Sequence, residues 1–163
     1  MEKLSFEKVY QDYKDDVWRW TSRFVFTKSD REDLFQDIFI RVYKALNSFR
    51  GEASIKTWIY RITLNTSINY LKKMKRQKTM RDILSNLRVI ESQPGDNISE
   101  VELSNPLEKL NPRQRSILIM ADVEEKKFEE ISNIMGVPIG TIKSNLFRAR
   151  EIVRKELIKN GQI

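Results

Sequence analysis

The chain of 163 residues contains no cysteine and no histidine. Without cysteine there is no disulfide framework and no thiolate metal site. Without histidine the commonest general base and metal ligand are both missing. Glycine and proline are scarce, at 5 and 4 residues, so few helix breakers are present. No apolar run approaches the roughly 18 residues of a membrane-spanning helix. The N-terminal run Met1-Glu2-Lys3-Leu4-Ser5 is polar and lacks the apolar stretch of a signal peptide. A reducing cytoplasm fits this composition.

What is present is charge and helical periodicity. Apolar residues make up 40% and charged residues 33%, with a net charge of +7. Residues 1–78 carry a net +7, residues 79–105 a net −3 and residues 106–163 a net +3. Two basic ends therefore flank an acidic middle, which suits a polyanion such as nucleic acid. Phe6, Val9, Tyr13, Val17, Trp20 and Phe24 recur at three and four residues, the spacing of a first helix. Ser29-Asp30-Arg31-Glu32 has the form of a capping box. It is expected to open a second helix with Leu34, Ile38, Val42 and Ala45 on one stripe, widened by Phe35, Phe39 and Leu46. Arg50-Gly51-Glu52 breaks it. Ser54 can cap a third helix through Trp58, Ile62 and Leu71 towards Lys78.

Residues 91–106 change character. Ser92-Gln93-Pro94-Gly95-Asp96-Asn97 is turn- and linker-like. The sequence thus divides into 1–78, a flexible linker at 79–105, and 106–163. Asn111-Pro112-Arg113-Gln114 then reads as an N-cap, a proline at the first helical position and a glutamine three residues after the cap. Ile117, Leu118 and Met120 follow, and two shorter helices split at Gly136. The expected fold class is all-α: two small helical domains on a tether.

The sharpest local pattern lies in residues 128–150. A short amphipathic helix ends at Gly136, which accepts the positive φ of a tight turn. Val137 fills the angle and Pro138 starts a second helix. There Ile142, Leu146, Ala149 and Val153 point inward, while Thr141, Lys143, Ser144, Asn145, Phe147 and Arg148 face or flank the outside. This is a helix-turn-helix whose polar face fits a major groove. A second pattern spans residues 61–78, with Arg61, Lys72, Lys73, Lys75, Arg76 and Lys78 and no acid. Trp58, Tyr60 and Tyr70 lie beside or inside it, with Asn65 and Asn69 between. Cations track phosphates and aromatic rings stack on unpaired bases; Trp58 reads equally well as a core ring. Asp30, Glu32, Asp33 and Asp37 form an acidic group. Asp30 and Glu32 suit the positive end of a helix, and Asp33 and Asp37, with Gln36 and Arg41, suit a protein-docking face better than a metal site.

The order of these parts resembles the sigma-70 family of bacterial sigma factors, in its extracytoplasmic-function (ECF) group. The resemblance rests on Asp30-Arg31-Glu32-Asp33-Leu34-Phe35-Gln36-Asp37-Ile38-Phe39-Ile40-Arg41-Val42-Tyr43, on Ser48-Phe49-Arg50-Gly51-Glu52-Ala53-Ser54 with Lys56-Thr57-Trp58-Ile59-Tyr60-Arg61-Ile62, and on the helix-turn-helix. It implies that Asp33, Gln36, Asp37, Phe39 and Arg41 dock on the clamp coiled coil of the largest polymerase subunit. It implies that the segment from Phe49 to Arg76, including Lys56, opens and reads the minus-ten element, with Phe49 and Asn65 at the pocket for a flipped base. The helix from Pro138 is similar to the minus-thirty-five reader, with Lys143, Ser144, Phe147 and Arg148 at contact positions. Many relatives carry arginine where this chain has Ala121 and Asn145. The upstream contact of the first is then lost, or Arg113 or Arg115 supplies it. The implied partners are core RNA polymerase, including the flap of its second-largest subunit, promoter DNA and an anti-sigma protein. No cofactor, metal or catalytic residue is implied. Two other readings stand beside this one. A free-standing helix-turn-helix regulator leaves the docking helix and the basic-aromatic segment unused. A DNA-acting enzyme lacks histidine and a paired carboxylate site.

Overall fold

The computed structural model of the protein describes residues 4–89 and 105–163, and no strand occurs among them. The linker-like residues 92–97 lie outside them. The first module contains α1 (Phe6–Thr21), α2 (Lys28–Ala45) and α3 (Ile55–Val89), with a 3₁₀ turn at Leu46–Ser48. The second contains α4 (Pro112–Leu118), a π-helical turn (Ile119–Val123), α5 (Phe128–Met135) and α6 (Ile139–Lys159). It is entered through a 3₁₀ turn at Pro106–Lys109. The all-α, two-bundle expectation agrees with this architecture.

Local chemistry sets most helix ends. Ser5 caps α1 by accepting from the Lys8 amide at 3.2 Å. The cap of α2 is Thr27, not Ser29. Its hydroxyl accepts from the Asp30 amide at 3.2 Å and donates to the Asp30 carboxylate at 2.7 Å. Thr27 and Asp30 have the same spacing as Ser29 and Glu32, but Thr27 is the residue in extended backbone. Ser29 falls inside the first turn. Ser54 accepts from the Thr57 amide at 3.1 Å, as expected for the start of α3.

α3 runs past Lys78 to Val89, into residues that the sequence pattern places in the linker. No glycine or proline interrupts it, so nothing local ends it sooner. At 35 residues it is about 52 Å long. Along its distal part Met80, Ile83, Leu84 and Leu87 are exposed.

The first core packs Leu34, Ile38 and Val42 of α2 with Val9 and Val17 of α1 and Ile59 and Leu64 of α3. Beside it Tyr10, Phe35 and Phe39 meet edge to face, with centroids 4.8 and 5.0 Å apart. In the second module Ile117, Met120, Ile131, Ile142, Leu146 and Ala149 are buried, and they belong to the same apolar cluster as the first core. The capping box at Asn111 is fully formed: its side chain accepts from Gln114 N at 2.8 Å and Gln114 Oε1 accepts from Asn111 N at 3.2 Å. Gly136 has φ +67°, the left-handed conformation that ends α5. Ser132 Oγ then donates to the Val137 carbonyl at 2.6 Å and pins the turn. The helix that follows is not short. α6 is a single 21-residue element in which Ile142, Leu146 and Ala149 are buried and Val153 is half-buried.

Thr27→Ala should lower stability by about 1 kcal/mol, the usual cost of losing an N-cap. Ser29→Ala should be close to neutral. Urea melts of the two variants distinguish the caps, and the reverse ranking would return the cap to Ser29.

Candidate nucleic-acid and polymerase interfaces

The basic segment of α3 resolves into a face. Asn65, Asn69, Lys72, Lys73 and Arg76 recur at three and four residues, and all five side chains are exposed. Half-buried Arg61 begins the same stripe one turn earlier. The opposite side of the helix is tied down by Ile59, Leu64 and the buried hydroxyls of Thr63, Thr66 and Ser67. Thr66 and Ser67 donate to the Ile62 and Thr63 carbonyls at 2.6 and 2.7 Å. The stripe therefore offers amides and cations in one line, the form that phosphate and unpaired bases require.

The aromatic residues at its start divide. Phe49 and Trp58 are half-buried and lie 5.2 Å apart at a 54° tilt, so both rings keep an open edge. Lys56 is exposed and pairs with Asp16 at 3.6 Å. Tyr60 is different: it is only 5% exposed. Its ring meets Trp20 edge to face at 4.7 Å, and its hydroxyl donates to Glu124 Oε2 at 2.6 Å. In this arrangement Tyr60 is a core ring and not a DNA-facing one, which corrects the expectation from sequence.

On α6, Lys143, Ser144, Phe147 and Arg148 are exposed together, and Phe147 keeps 67% of its surface. Thr141 and Asn145 are half-buried. Asn145 Nδ2 donates to the Thr141 carbonyl at 2.8 Å, so its amide is turned back on its own helix. Lys143 Nζ rests 5.6 Å from the Phe128 ring of α5. Arg150 grips Asp122 at 2.6 and 3.0 Å and braces α6 against the π turn. Arg113 is exposed on α4. Arg115 is not: it is 6% exposed, and its Nη2 donates to the Phe24 carbonyl at 2.6 Å. Burial lowers its pKa to about 10, which still leaves it charged at neutral pH. Of the two arginines, Arg113 is thus the accessible one in this arrangement.

On α2, Asp33, Gln36, Asp37 and Arg41 are exposed. Asp33, Gln36 and Asp37 line an open groove with Tyr70 and Lys73 of α3. Tyr70 donates to Asp30 at 3.0 Å across it. Phe39 does not belong to this face. It is 5% exposed and packed among aromatic rings, because the third residue after Gln36 turns towards the core. Among the described residues no acidic cluster is arranged to hold a metal ion, and no helix is long and apolar enough to cross a membrane.

A third set of polar contacts joins the modules, and nothing in the sequence marks it. Glu124 follows the π turn, with its amide bonded back to the Ile119 carbonyl at 3.0 Å. A π turn displaces the residues after it and is common at functional positions. Glu124's side chain is 5% exposed and is held by Arg23, by the Tyr60 hydroxyl and by Lys126 at 3.5 Å. The next residue, Glu125, has φ +52°, a conformation costing roughly 1–3 kcal/mol outside glycine. Arg61 Nη2 donates to the Asn133 carbonyl of α5 at 3.2 Å. The Nε atoms of Arg61 and Arg115 are buried without a partner, each at a cost of about 1–3 kcal/mol. In sequence, Asp122-Val123-Glu124-Glu125-Lys126-Lys127 looks like a solvated loop.

Residues 9–77 match Sigma-70 region 2, and residues 100–153 match Sigma-70, region 4. The ECF RNA polymerase sigma-E factor of Haemophilus influenzae is 30% identical, over 96% of this chain and 89% of that protein. The RNA polymerase sigma-H factor of Pseudomonas aeruginosa is 31% identical, over 96% and 88%. The sigma factor RpoE of Bartonella quintana, solved with the anti-sigma factor NepR, superposes with a TM-score of 0.62 at 25% identity, over 93% of this chain and 96% of that one. CnrH, solved with the cytosolic domain of CnrY, has a similar fold, with a TM-score of 0.61 at 17% identity over 94% and 88%. Two helical modules with a region 2 stripe and a region 4 helix-turn-helix define a promoter-recognition subunit of RNA polymerase. The chain belongs to the sigma-70 family, in the ECF group. It is a transcription initiation factor that brings core polymerase to promoters.

The Tyr60–Glu124 contact of the seam and the Tyr70–Asp30 contact within the first module have a pH signature. Burial, then the charge and hydrogen bond of Glu124, push the Tyr60 pKa upward. Burial and the hydrogen bond to Asp30 push Tyr70 up to about 12. An unfolded tyrosine ionises near pH 10. Both shifts are upward, so their stabilisation is complete below pH 10 and is lost as pH rises from about 10 through 12 and beyond. Thermal melts between pH 8 and 12 should show this fall, and Tyr60→Phe should flatten it. An unchanged slope in the variant would remove Tyr60 from the account.

Proposed function

We infer that residues 1–78 and 106–163 act as the two promoter-reading modules, and that the exposed faces of α2, α3 and α6 divide the work. Asp33, Gln36, Asp37 and Arg41 dock on the clamp coiled coil of the largest polymerase subunit. Phe49, Lys56, Trp58, Asn65, Asn69, Lys72, Lys73 and Arg76 handle the minus-ten element. Phe49 and Asn65 receive the base that leaves the stack on opening. Arg113, Thr141, Lys143, Ser144, Phe147 and Arg148 handle the minus-thirty-five element, with Asn145 in a supporting place on the same helix. Region 4 also meets the flap of the second-largest subunit. The observation that carries this reading is the coincidence of the α3 stripe with the region 2 match and of the exposed α6 face with the region 4 match.

The factor itself breaks and forms no bond, since the core enzyme performs the chemistry. It acts in the cytoplasm, where core polymerase and promoters are. The Bartonella quintana neighbour was solved with an anti-sigma factor, which supports a protein inhibitor for this chain as well. Run-off transcription with purified core polymerase on genomic fragments tests the whole reading. Specific starts should appear only when the factor is added, and identical transcripts with and without it would overturn the assignment.

Two sets of variants test the division of labour. Asp37→Arg with Gln36→Ala should abolish co-purification with core while leaving the circular dichroism unchanged, because reversed charge on a docking face destroys complementarity. Normal core binding by the folded double variant would displace that face. Lys143→Ala or Arg148→Ala should each weaken binding to the upstream element by about 1–3 kcal/mol. Asn65→Ala should leave closed-complex affinity nearly intact and reduce permanganate reactivity of unpaired thymines, since its partner base is available only after melting. Full opening by Asn65→Ala would reduce that residue to a surface amide.

A further inference from the structure

We propose that Glu124 is a latch that holds the free factor closed, with its two DNA-reading modules packed on each other, and that the factor must release this latch to occupy a promoter. The proposal rests on the initiation function above and concerns the state of the protein before it meets polymerase.

The geometry behind it is a carboxylate from the second module inserted among groups of the first. Glu124 reaches Arg23 and the Tyr60 hydroxyl, both in the first module. Lys126, from its own turn, completes the cage and lies 4.8 Å over the Tyr60 ring. Arg115 crosses in the same sense to the Phe24 carbonyl, and Arg61 crosses in the opposite sense to Asn133 of α5. α3 and α5 pack together. Residues at the head of the α3 stripe and in the first helix of the helix-turn-helix therefore cover one another. While they do, the Arg115 guanidinium is buried and Arg61 Nη2 is engaged by a main-chain carbonyl.

The same seam is built to open. Polar interfaces between modules of one chain come apart more readily than apolar cores. This one carries buried charged and polar contacts beside an apolar cluster that runs through both modules. Arg61 Nε and Arg115 Nε gain nothing from closure, because both are buried without a partner. Glu125 holds a positive φ immediately beside the latch, so the turn that presents Glu124 stores strain that opening can relax. The Glu124 cage is the buried charged contact of this seam, and any partner that prefers separated modules competes with it.

The absence of cysteine allows a direct test in the full chain. Cysteines placed at the exposed positions Asp15 and Lys155, one on each module, take a donor and an acceptor dye. The unsubstituted seam should give a mainly high-transfer population that shifts to low transfer when core polymerase is added. Glu124→Gln and, from the other side, Arg23→Gln should each move a fraction of free molecules to low transfer. Their combination should open little further, since each removes the same interaction. Apparent affinity for DNA scales with the fraction of competent molecules. If about one tenth of the parent is open, full release should strengthen binding of the free factor to an upstream duplex about tenfold. With core present, parent and Glu124→Gln should transcribe alike. A high-transfer population unchanged in both single variants would overturn the latch, as would a parent already open without polymerase. Loss of run-off transcription by the parent would instead overturn the function and is read separately in the same samples.

Discussion

A charged group with almost no contact with water must be matched by its surroundings, and Glu124 is that group here. Isolated burial of a carboxylate costs far more than any single contact returns. The chain meets this requirement with a guanidinium, a phenol and an ammonium drawn from both modules. Much follows from that matching. Tyr60 is held inward, the turn after α4 takes a π step and a positive φ, and α5 comes to rest on α3. The arrangement of the modules thus joins this buried charge to an apolar cluster that runs through both of them.

Within each module the division between inside and outside follows from helix geometry. α2 and α3 bury a stripe of branched aliphatic residues, and the turns between those residues carry whatever remains. On α3 the remainder is asparagine, lysine and arginine; on the docking side of α2 it is aspartate and glutamine. The two faces have opposite character although they belong to adjacent helices. A cationic surface and an acidic surface therefore lie side by side on one module. The Tyr70–Asp30 hydrogen bond marks the border between them.

What the sequence made legible was local. The Asn111 capping box, the Ser54 cap and the left-handed Gly136 depend on residues within a few positions of one another, and each stands where the pattern put it. Thr27 and Ser29 were ambiguous because both precede an acid by three residues, and only backbone conformation separates them. The end of α3 was missed for a related reason: polar composition suggests a linker, but without glycine or proline a helix continues. The burial of Phe39, Tyr60 and Arg115 is not legible in the sequence, because residue type marks what a side chain can do, not where it points. A basic or aromatic residue near a DNA-reading segment has the same signature whether it faces solvent or is claimed by a partner far along the chain. Glu124 contacts residues about 60 and 100 positions away, and no local pattern encodes such a meeting.

The closed seam also explains how weak modules can serve a selective function. Each reading surface is small, and cationic contacts to phosphate are largely indifferent to sequence. Two such surfaces gain selectivity when a scaffold sets their spacing, because the second contact then becomes intramolecular. A factor free to touch DNA with either module alone would sample non-specific sites. Packing the modules together buries Arg115 and engages Arg61, and it leaves Asp33, Gln36, Asp37 and Arg41 of α2 exposed. The order of events then follows from surface access alone. On the proposed division of the faces, the α2 side is open from the start, while part of the α3–α5 surface is uncovered only when the Glu124 cage gives way.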